Sequence, residues 1–494
     1  MTEDDDSPGG TDRTGRTAMT AALVAATELL EQVAGDRSHL HGLTEQERIR
    51  FINAVGDVFC PDVEERRQRV RALRRRDRAD KVQRDEQLLG ATGIRTLRSR
   101  PVYTTPNVFP PPGFTPDEHP SKALGTLVES QHCYICKRHF TQVHHFYDQL
   151  CPDCAALNWA KRTETADLSG RVALLTGGRV KIGYQAGIKL LRAGAGLIVT
   201  TRFPRDAAAR YAAEPDFDRW GDRLEIYGLD LRHTPSVEAF CHHLDTTRSR
   251  LDFIVNNACQ TVRRPPEFYR HMMEQETAAV ATMPAQVLAL QGGVAASALS
   301  SQAPLLPGEE DGDRQLFPAG RLDQDLQQVD LRGRNSWRLT LHEVSSVELL
   351  ETQLVNAVAP FVLNARLKPL MLRTPGRDKH VVNVSAVEGQ FYRKFKTTKH
   401  PHTNMAKAAM NMMTRTSAAD YQADGIHMNS VDTGWVSDED PLELAERKQV
   451  EQRFHPPLDI VDGAARIVDP IIDGYNRGVH VWGQFLKDYR PTDW

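Results

Sequence analysis

Residues 171–183 read Arg171-Val-Ala-Leu-Leu-Thr-Gly-Gly-Arg-Val-Lys-Ile-Gly183, and this stretch decides the fold. An apolar run of β-prone residues enters a glycine-rich turn. The pattern then becomes helical through Ala186, Ile188, Leu190 and Leu191. Strand, glycine loop and helix in that order let backbone N–H groups and a helix N-terminus face a pyrophosphate, because glycine lacks the Cβ that would block close approach.

The sequence around this unit repeats its alternation. Strands are predicted at Gly196 to Thr201, Leu224 to Leu229 and Leu251 to Asn256, with a helix around Arg205 to Ala213. Alternating strands and helices predict an α/β fold, a Rossmann-type doubly wound parallel sheet. At 494 residues the chain exceeds one ordinary hydrophobic core. The division read from the sequence is a disordered tail (1–15), a helical region (16–125), a metal module (126–165) and the nucleotide-binding domain (166–494), with an insertion at about 261–348.

Upstream, helices are predicted over Ala18 to Val33, Thr44 to about Phe59, and Pro61 to Leu89. Thr44 with Glu47 forms a capping-box signal. The third helix is rich in arginine, but Glu64, Glu65, Asp77 and Asp80 are interleaved, so a solvated, ion-paired face is favoured over a nucleic-acid surface. Tyr103 to Pro120 reads as an extended Pro-rich connection.

Cys133-x-x-Cys136 and Cys151-x-x-Cys154 stand fourteen residues apart. That spacing places four thiolates around one Zn²⁺, a closed structural site with no ligand position left for water. His139, His144 and His145 lie between the pairs without being needed.

The net charge of −3 gives no global attraction to nucleic acid or anionic membrane. No uninterrupted apolar run reaches membrane-spanning length, and the acidic start does not resemble a secretory signal. With the metal-like cysteine spacing, these features place the protein in a reducing cytoplasm.

Residues 168 to 263 and about 350 to 494 resemble the short-chain dehydrogenase/reductase family. The matching pieces are Thr176-Gly177…Gly183, Asp230-Leu231, Asn256-Asn257-Ala258, Asn356, Asn383-Val384-Ser385, Lys407, and Asn429 through Gly434. The resemblance covers about half of the chain. It implies an NAD(P)-dependent oxidoreductase acting on a small-molecule carbonyl, alcohol or imine, and a homo-oligomer. Within it, the loop Thr176, Gly177, Arg179, Lys181, Ile182 and Gly183 would hold the pyrophosphate, Asp230 and Leu231 the adenine, and Asn256 to Ala258 the cleft wall. Lys407 would hold the ribose, and Thr433 with Gly434 would border the nicotinamide. The second strand ends in Thr201-Arg202 rather than an acid, so NADP is favoured, with NAD as the alternative.

Several positions depart from the family pattern. Lys181 replaces a loop glycine, Cys259 replaces the glycine after Asn-Asn-Ala, and Thr433 replaces a proline. Cys259 is read as a small buried cysteine. Thr403 stands where the family has its tyrosine, four residues before Lys407, and Ala386 stands where it has its serine. Asn356 and Lys407 alone remain of the catalytic set. The replacement proton donors are sought in the preceding basic loop, Tyr392, Arg393, Lys394, Lys396, Lys399, His400 and His402, with Tyr392 and His402 the best suited chemically.

Two functions follow from these signals: an oxidoreductase with a replaced acid–base group, or a non-catalytic NADP-binding sensor or scaffold that meets a protein partner through the metal module or the insertion. The insertion's middle, about Gln291 to Gly320, reads as a mobile loop, and 330–350 regains helical character. The last strand is placed at Val479 to Leu486, with Asp488 to Trp494 as a tail.

Overall fold

The computed structural model describes residues 13–59, 62–99, 123–277, 291–293, 297–306, 309, 315–318, 320–323, 327–392 and 396–494. The chain divides into two compact units, Met1–Gln83 and Arg84–Trp494. The first is helical: Arg13–Gly35, Glu45–Phe59 and most of Val63–Gly90. Its first helix begins inside the span read as a tail; the remainder of that tail, like the Pro-rich connection, lies outside the described residues. Thr44 and Glu47 make the reciprocal cap, with Thr44 N donating to Glu47 at 3.0 Å. Among the described residues the arginines of the Val63–Gly90 helix make no ion pair; Arg69 donates to the Phe59 carbonyl and covers its ring, and the arginine-bearing stretch is exposed, while Glu86 near its end pairs with Arg95 at 2.9 Å.

The second unit is built on strands β1 (Ala123–His132) and β2 (His139–His144), which form an antiparallel ribbon, and on a nine-stranded sheet. The sheet strands are β3 (Val172–Thr176), β4 (Gly196–Thr201), β5 (Leu224–Gly228), β6 (Phe253–Asn256), β7 (Gln291–Gly293), β8 (Lys379–Ser385), β9 (Ile426–Asp432), β10 (Phe485–Lys487) and β11 (Arg490–Thr492). Their order is β11-β10-β9-β8-β6-β3-β4-β5-β7, parallel except for β11 against β10. The chain leaves β3 toward β4 and β5, then returns on the other side through β6. Such a reversal opens a crevice at the carboxyl ends of β3 and β6.

Both faces of the sheet are covered, which explains the nearly unbroken apolar strands. One core packs the Lys181–Arg192, Pro204–Ala212 and Ile460–Arg477 helices; the other packs Thr234–Thr247, Ala359–Leu372 and Pro401–Ala423. Between them Asn256, buried, donates to Asn364 and Asn383 (2.8 Å each), and Asn383 donates to Thr414 at 2.9 Å. Asn256 is therefore a tie between strands and does not line the cleft.

Three expectations change. The insertion contributes an edge strand, β7, and a short Ser297–Ser300 turn of helix within the span read as a loop. Its closing part forms short 3-10 turns, Ser336–Arg338 and Leu341–Glu343, before the Ser346–Gln353 helix. The terminal residues form a hairpin, not a tail: Asp488 and Tyr489 both take positive φ between β10 and β11, as a two-residue turn requires, and buried Arg466 holds Asp488 at 3.0 Å. Among the described residues no helix is long and apolar enough to cross a membrane.

Candidate active site

The glycine loop and the loop after β6 are clasped together. Thr176 Oγ1 accepts from the backbone N–H groups of Asn257 and Ala258, both at 3.0 Å, and Asn257 Nδ2 donates to the carbonyls of Thr176 (3.0 Å) and Gly177 (3.1 Å). A Cβ on Gly183 would fall 2.3 Å from Asn257 Nδ2, so this closeness requires glycine. Gly177 has φ +69°, and a Cβ there would lie 2.9 Å from Ala258 Cα. Lys181 takes φ +56°, so the loop keeps its left-handed turn where the family's glycine is missing. For a side-chain-bearing residue that conformation costs on the order of 1–2 kcal/mol.

Above this clasp lies a cavity of about 540 Å³. Its walls include Gly177, Arg179, Lys181, Ile182, Gly183, Arg202, Asp230, Leu231, Asn257 and Ala258, together with Phe268 and Tyr269 from the insertion and the 437–442 segment after β9. Of the sequence-predicted residues these line the cavity, whereas Thr176, Asn356, His402, Thr403, Lys407, Thr433 and Gly434 are not on its wall, and the insertion is a wall of the same cavity.

The basic residues differ in what they are free to bind. Arg179 is paired with Asp206 at 2.7 Å, and Arg264 with Asp330. Arg202, at the end of β4, meets no carboxylate within ion-pair distance among the described residues. It donates to Tyr269 OH at 2.7 Å and lies 4.6 Å over that ring. Although burial opposes it, the guanidinium of Arg202, with Arg264 and Arg179 beyond, holds the Tyr269 phenol below its ordinary pKa. Tyr269 was not legible in the sequence because only the folded insertion brings it to β4. Asp230 is buried, which by itself would raise its pKa, but hydrogen bonds from Arg232 hold it below the usual carboxylate range. Both its oxygens already accept from Arg232, leaving only remaining lone pairs for an adenine.

At the other end of the crevice, Lys407 is buried and donates to the Val384 carbonyl at 2.8 Å. Asn356 lies in a π-helical turn, Leu354–Val358, and holds the β6 loop: its Oδ1 accepts from Gln260 N (2.7 Å) and its Nδ2 donates to Gln260 O (3.1 Å). Thr403, one helical turn before Lys407, has a buried hydroxyl without a hydrogen-bond partner. His402 beside it is 2% exposed, and neither ring nitrogen has a hydrogen-bond partner. Its Nε2 lies 3.6 Å from Glu348 Oε1, an ion-pair separation just beyond hydrogen-bond range. Burial raises Glu348, but the His402 imidazole and then Ser336 hold it below the usual range.

The structure separates the two candidate proton donors. Tyr392 is 56% exposed, and its hydroxyl accepts from Gln390 Nε2 at 3.1 Å, beside Thr492 of the terminal hairpin. No hydrogen bond among the described residues ties it to His402, Thr403 or Lys407. His400 stacks on Trp337 at 3.8 Å with an interplanar angle of 2°, and Lys396 donates to the Glu388 carbonyl. Arg393 and Lys394 lie outside the described residues.

Cys259 corrects the expectation of a buried thiol: it is exposed and lines the cavity. Gly434 has φ +75°, and a Cβ there would strike Leu458 at 2.5 Å, so the glycine is required even though Thr433 replaces the proline before it. Asp432, matched in the sequence only as part of the 429–434 segment, ends β9 and accepts from Val387 N at 3.1 Å, next to the position where serine is replaced by Ala386. Burial pushes its carboxyl up to about 6, so it exchanges a proton near neutrality.

The four cysteines also converge. The sulfurs of Cys133, Cys136, Cys151 and Cys154 all lie within 4.8 Å of one another, and Cys136 and Cys151 are 3.6 Å apart. Four ligands about 2.3 Å from a tetrahedral zinc would stand about 3.8 Å apart, so the set fits that ion. Cys151 caps the Pro152–Thr163 helix and Cys154 lies in its first turn, where helix N–H groups favour thiolates. Arg138 beside Cys136 lowers that thiol to about 6, whereas burial raises Cys151 and Cys154. His144 is otherwise engaged, accepting from Phe146 N at 3.1 Å.

Comparison with known proteins matches two family models, one described as short chain dehydrogenase over residues 171–289 and one described as enoyl-(acyl carrier protein) reductase over residues 333–457. An uncharacterised protein of Acanthamoeba polyphaga mimivirus is 32% identical over 356 residues, 69% of this chain and 71% of the relative. Among solved structures, the angucycline C-6 ketoreductase LanV with bound NADP is 18% identical with a TM-score of 0.42, covering 66% of this chain and 96% of that one. The Pseudomonas aeruginosa RhlG/NADP active-site complex is 18% identical with a TM-score of 0.41, covering 65% of this chain and 95% of that one.

Proposed function

This chain belongs to the short-chain dehydrogenase/reductase family, and we propose that it is an NADP-dependent oxidoreductase acting on a small-molecule carbonyl, alcohol or imine with a replaced acid–base group. The observation that carries the cofactor assignment is Arg202, a guanidinium on the cavity wall at the end of β4 without a carboxylate partner among the described residues. Arginine at that position accommodates a 2′-phosphate, where an acid would accept a ribose 2′-hydroxyl. Tyr269 OH completes the anion's surroundings as a donor. The Gly177–Gly183 loop, held against Asn257 and Ala258 on the cavity wall, fits the pyrophosphate. The bound nicotinamide supplies hydride transfer.

The chain's own residues must then orient the reactants and move one proton. Lys407, fixed on the Val384 carbonyl, presents positive charge at the ribose end. His402 is the proton donor of this reading: it is buried, its imidazole is suited to proton transfer, and neither ring nitrogen has a hydrogen-bond partner. Glu348 stabilises the charged imidazole and fixes its orientation. Thr403 offers a hydroxyl beside it but no acidic proton. The six described cysteines are all unpaired, which favours a reducing compartment, the cytoplasm in this reading.

The test is transfer of deuterium from C4-deuterated NADPH over a panel of carbonyl substrates, with His402→Gln alongside. The expected result is label in the product from the wild type and a His402→Gln variant that binds NADPH normally without turning over. Failure of both NADPH and NADH to bind would overturn the reading.

A further inference from the structure

The segment from Thr433 to Ile460 follows β9 and carries part of the cavity wall, including Ser437, Glu439 and Leu442. Within the segment Lys448 pairs with Asp438 at 3.0 Å and Trp435 packs on Phe454, and from the insertion Asn335 Nδ2 donates to the Glu439 carbonyl at 2.8 Å and Arg338 pairs with Asp440. The segment's helix, Leu442–Gln452, buries no residue. Toward its two ends the segment is gripped by the cysteine ribbon. Tyr134, between Cys133 and Cys136, accepts from the Trp435 N–H at 3.0 Å. Gln149, two residues before Cys151, donates to the His455 carbonyl at 2.7 Å.

The grip continues beyond the ribbon turns. Arg98, on a short helix packed against the ribbon, donates to the carbonyls of Val436 (3.1 Å) and Leu458 (2.5 Å). At the segment's far end, Tyr147 donates to Asp462 (2.5 Å), and Arg162, on the helix that carries Cys154, pairs with Asp459 at 2.5 Å. Val436, Leu458 and Ile460 share one apolar cluster with Cys133, Val143, Leu150 and Cys151, and Ile182 of the glycine loop packs against it. The ribbon and the cavity wall are therefore one packed body.

We propose that Cys133, Cys136, Cys151 and Cys154 bind one Zn²⁺, and that this zinc positions the 433–460 wall of the nucleotide cavity through Tyr134 and Gln149. The ribbon is short and its turns carry strain, with Lys137 at φ +62° between the knuckles. A metal cross-link supplies the rigidity that so small a core cannot. Loss of the ion frees the Tyr134 and Gln149 turns, and with them the segment they hold. The effect on nucleotide affinity rests on the cofactor reading above; the effect on the segment does not.

The experiment uses the full-length protein purified under reducing conditions. Metal analysis is expected to give one zinc per chain, lost in Cys136→Ser. Chelation is expected to accelerate limited proteolysis within 437–455 and to weaken NADPH binding, both reversed by added Zn²⁺. If chelation unfolds the chain globally, Tyr134→Phe and Gln149→Ala decide: each should keep its zinc and its circular dichroism yet expose 437–455 to protease, with NADPH binding weakened by about fivefold, the worth of one hydrogen bond. Zinc-dependent proteolysis without NADPH binding would leave the brace standing and sink the cofactor reading. Absence of zinc, or protease resistance unchanged both on zinc loss and in the two variants, would overturn the proposal.

Discussion

Replacing Arg202 with alanine removes a guanidinium that lies 2.7 Å from Tyr269 OH and has no carboxylate partner among the described residues. If that group receives the 2′-phosphate, the variant loses charge-assisted hydrogen bonds, each worth about 1.5–3 kcal/mol. NADPH affinity should then fall by roughly 10- to 150-fold. NADH carries no 2′-phosphate, so its dissociation constant should stay within about twofold. Arg202→Glu goes further: the carboxylate repels a phosphate and accepts a ribose hydroxyl, which should invert the preference toward NADH. The arginine also satisfies the Tyr269 phenol, so Arg202→Ala should cost folding stability by about 1 kcal/mol, and Tyr269→Phe separates this packing effect from phosphate binding. The assay is fluorescence titration of both nucleotides at two ionic strengths, because an exposed phosphate contact weakens with salt. Equal losses for NADPH and NADH would refute the reasoning, since Arg202 would then act through the fold of the insertion and not through a phosphate.

Three further outcomes follow from the same geometry. Glu348→Gln should leave NADPH affinity unchanged and lower turnover by about 10-fold or more, because the His402 imidazole loses the carboxylate 3.6 Å from its Nε2; unchanged turnover would remove Glu348 from the site. Cys259 should react with a small alkylating agent and be protected by NADPH, read by mass spectrometry of the labelled peptide, because it is exposed on the cavity wall. Acid should destabilise the chain through His380, His427 and His480, which cluster at the start of β8 and β9 with His380 Nε2 2.9 Å from His480 Nδ1. Burial lowers all three, with Arg377, Asp378 and the Tyr475 ring facing them. The folded chain therefore binds fewer protons than the unfolded one, so stability is full above the unfolded value of about 6.5 and falls below it, by up to about 1.4 kcal/mol per pH unit per group. Urea midpoints at pH 7.5 and 5.5 check this, and equal midpoints would contradict it.

The crevice was legible in the sequence because its chemistry is local. Thr176, Gly177 and Gly183 lie in one turn between a strand and a helix, and Asn257 and Ala258, which follow one strand, came with the family resemblance. The sheet's long apolar strands were legible for the same reason, since burial on both faces writes itself into consecutive residues. The hairpin at Asp488–Tyr489 was not, because its turn depends on Arg466 from a helix more than twenty residues away in sequence. His402 stood out by residue type, but its counter-charge Glu348 comes from the far end of the insertion, and no periodicity relates the two. Tyr392 was chosen on chemistry equal to that of His402, and only tertiary packing distinguishes an exposed phenol from a buried imidazole.

The insertion is tied to the body of the site by buried charges. A tolerated surface loop would leave the residues at its base with ordinary partners. Instead Gln260, Arg263 and Arg232 converge on one carboxylate, Glu351, at 3.0, 2.9 and 2.9 Å. Arg263 also reaches Glu309 within the insertion, and Arg232 donates to the Ser301 carbonyl at 3.0 Å. Arg232 is the residue that engages Asp230 on the cavity wall, so the insertion is joined through buried charges to that wall. Breaking such a network by removing one partner leaves an uncompensated charge, a loss of about 3–5 kcal/mol when fully buried. Glu351→Gln should therefore loosen the insertion and the Asp230 wall together, whereas an independent loop would lose its own order and leave the nucleotide cavity as it was.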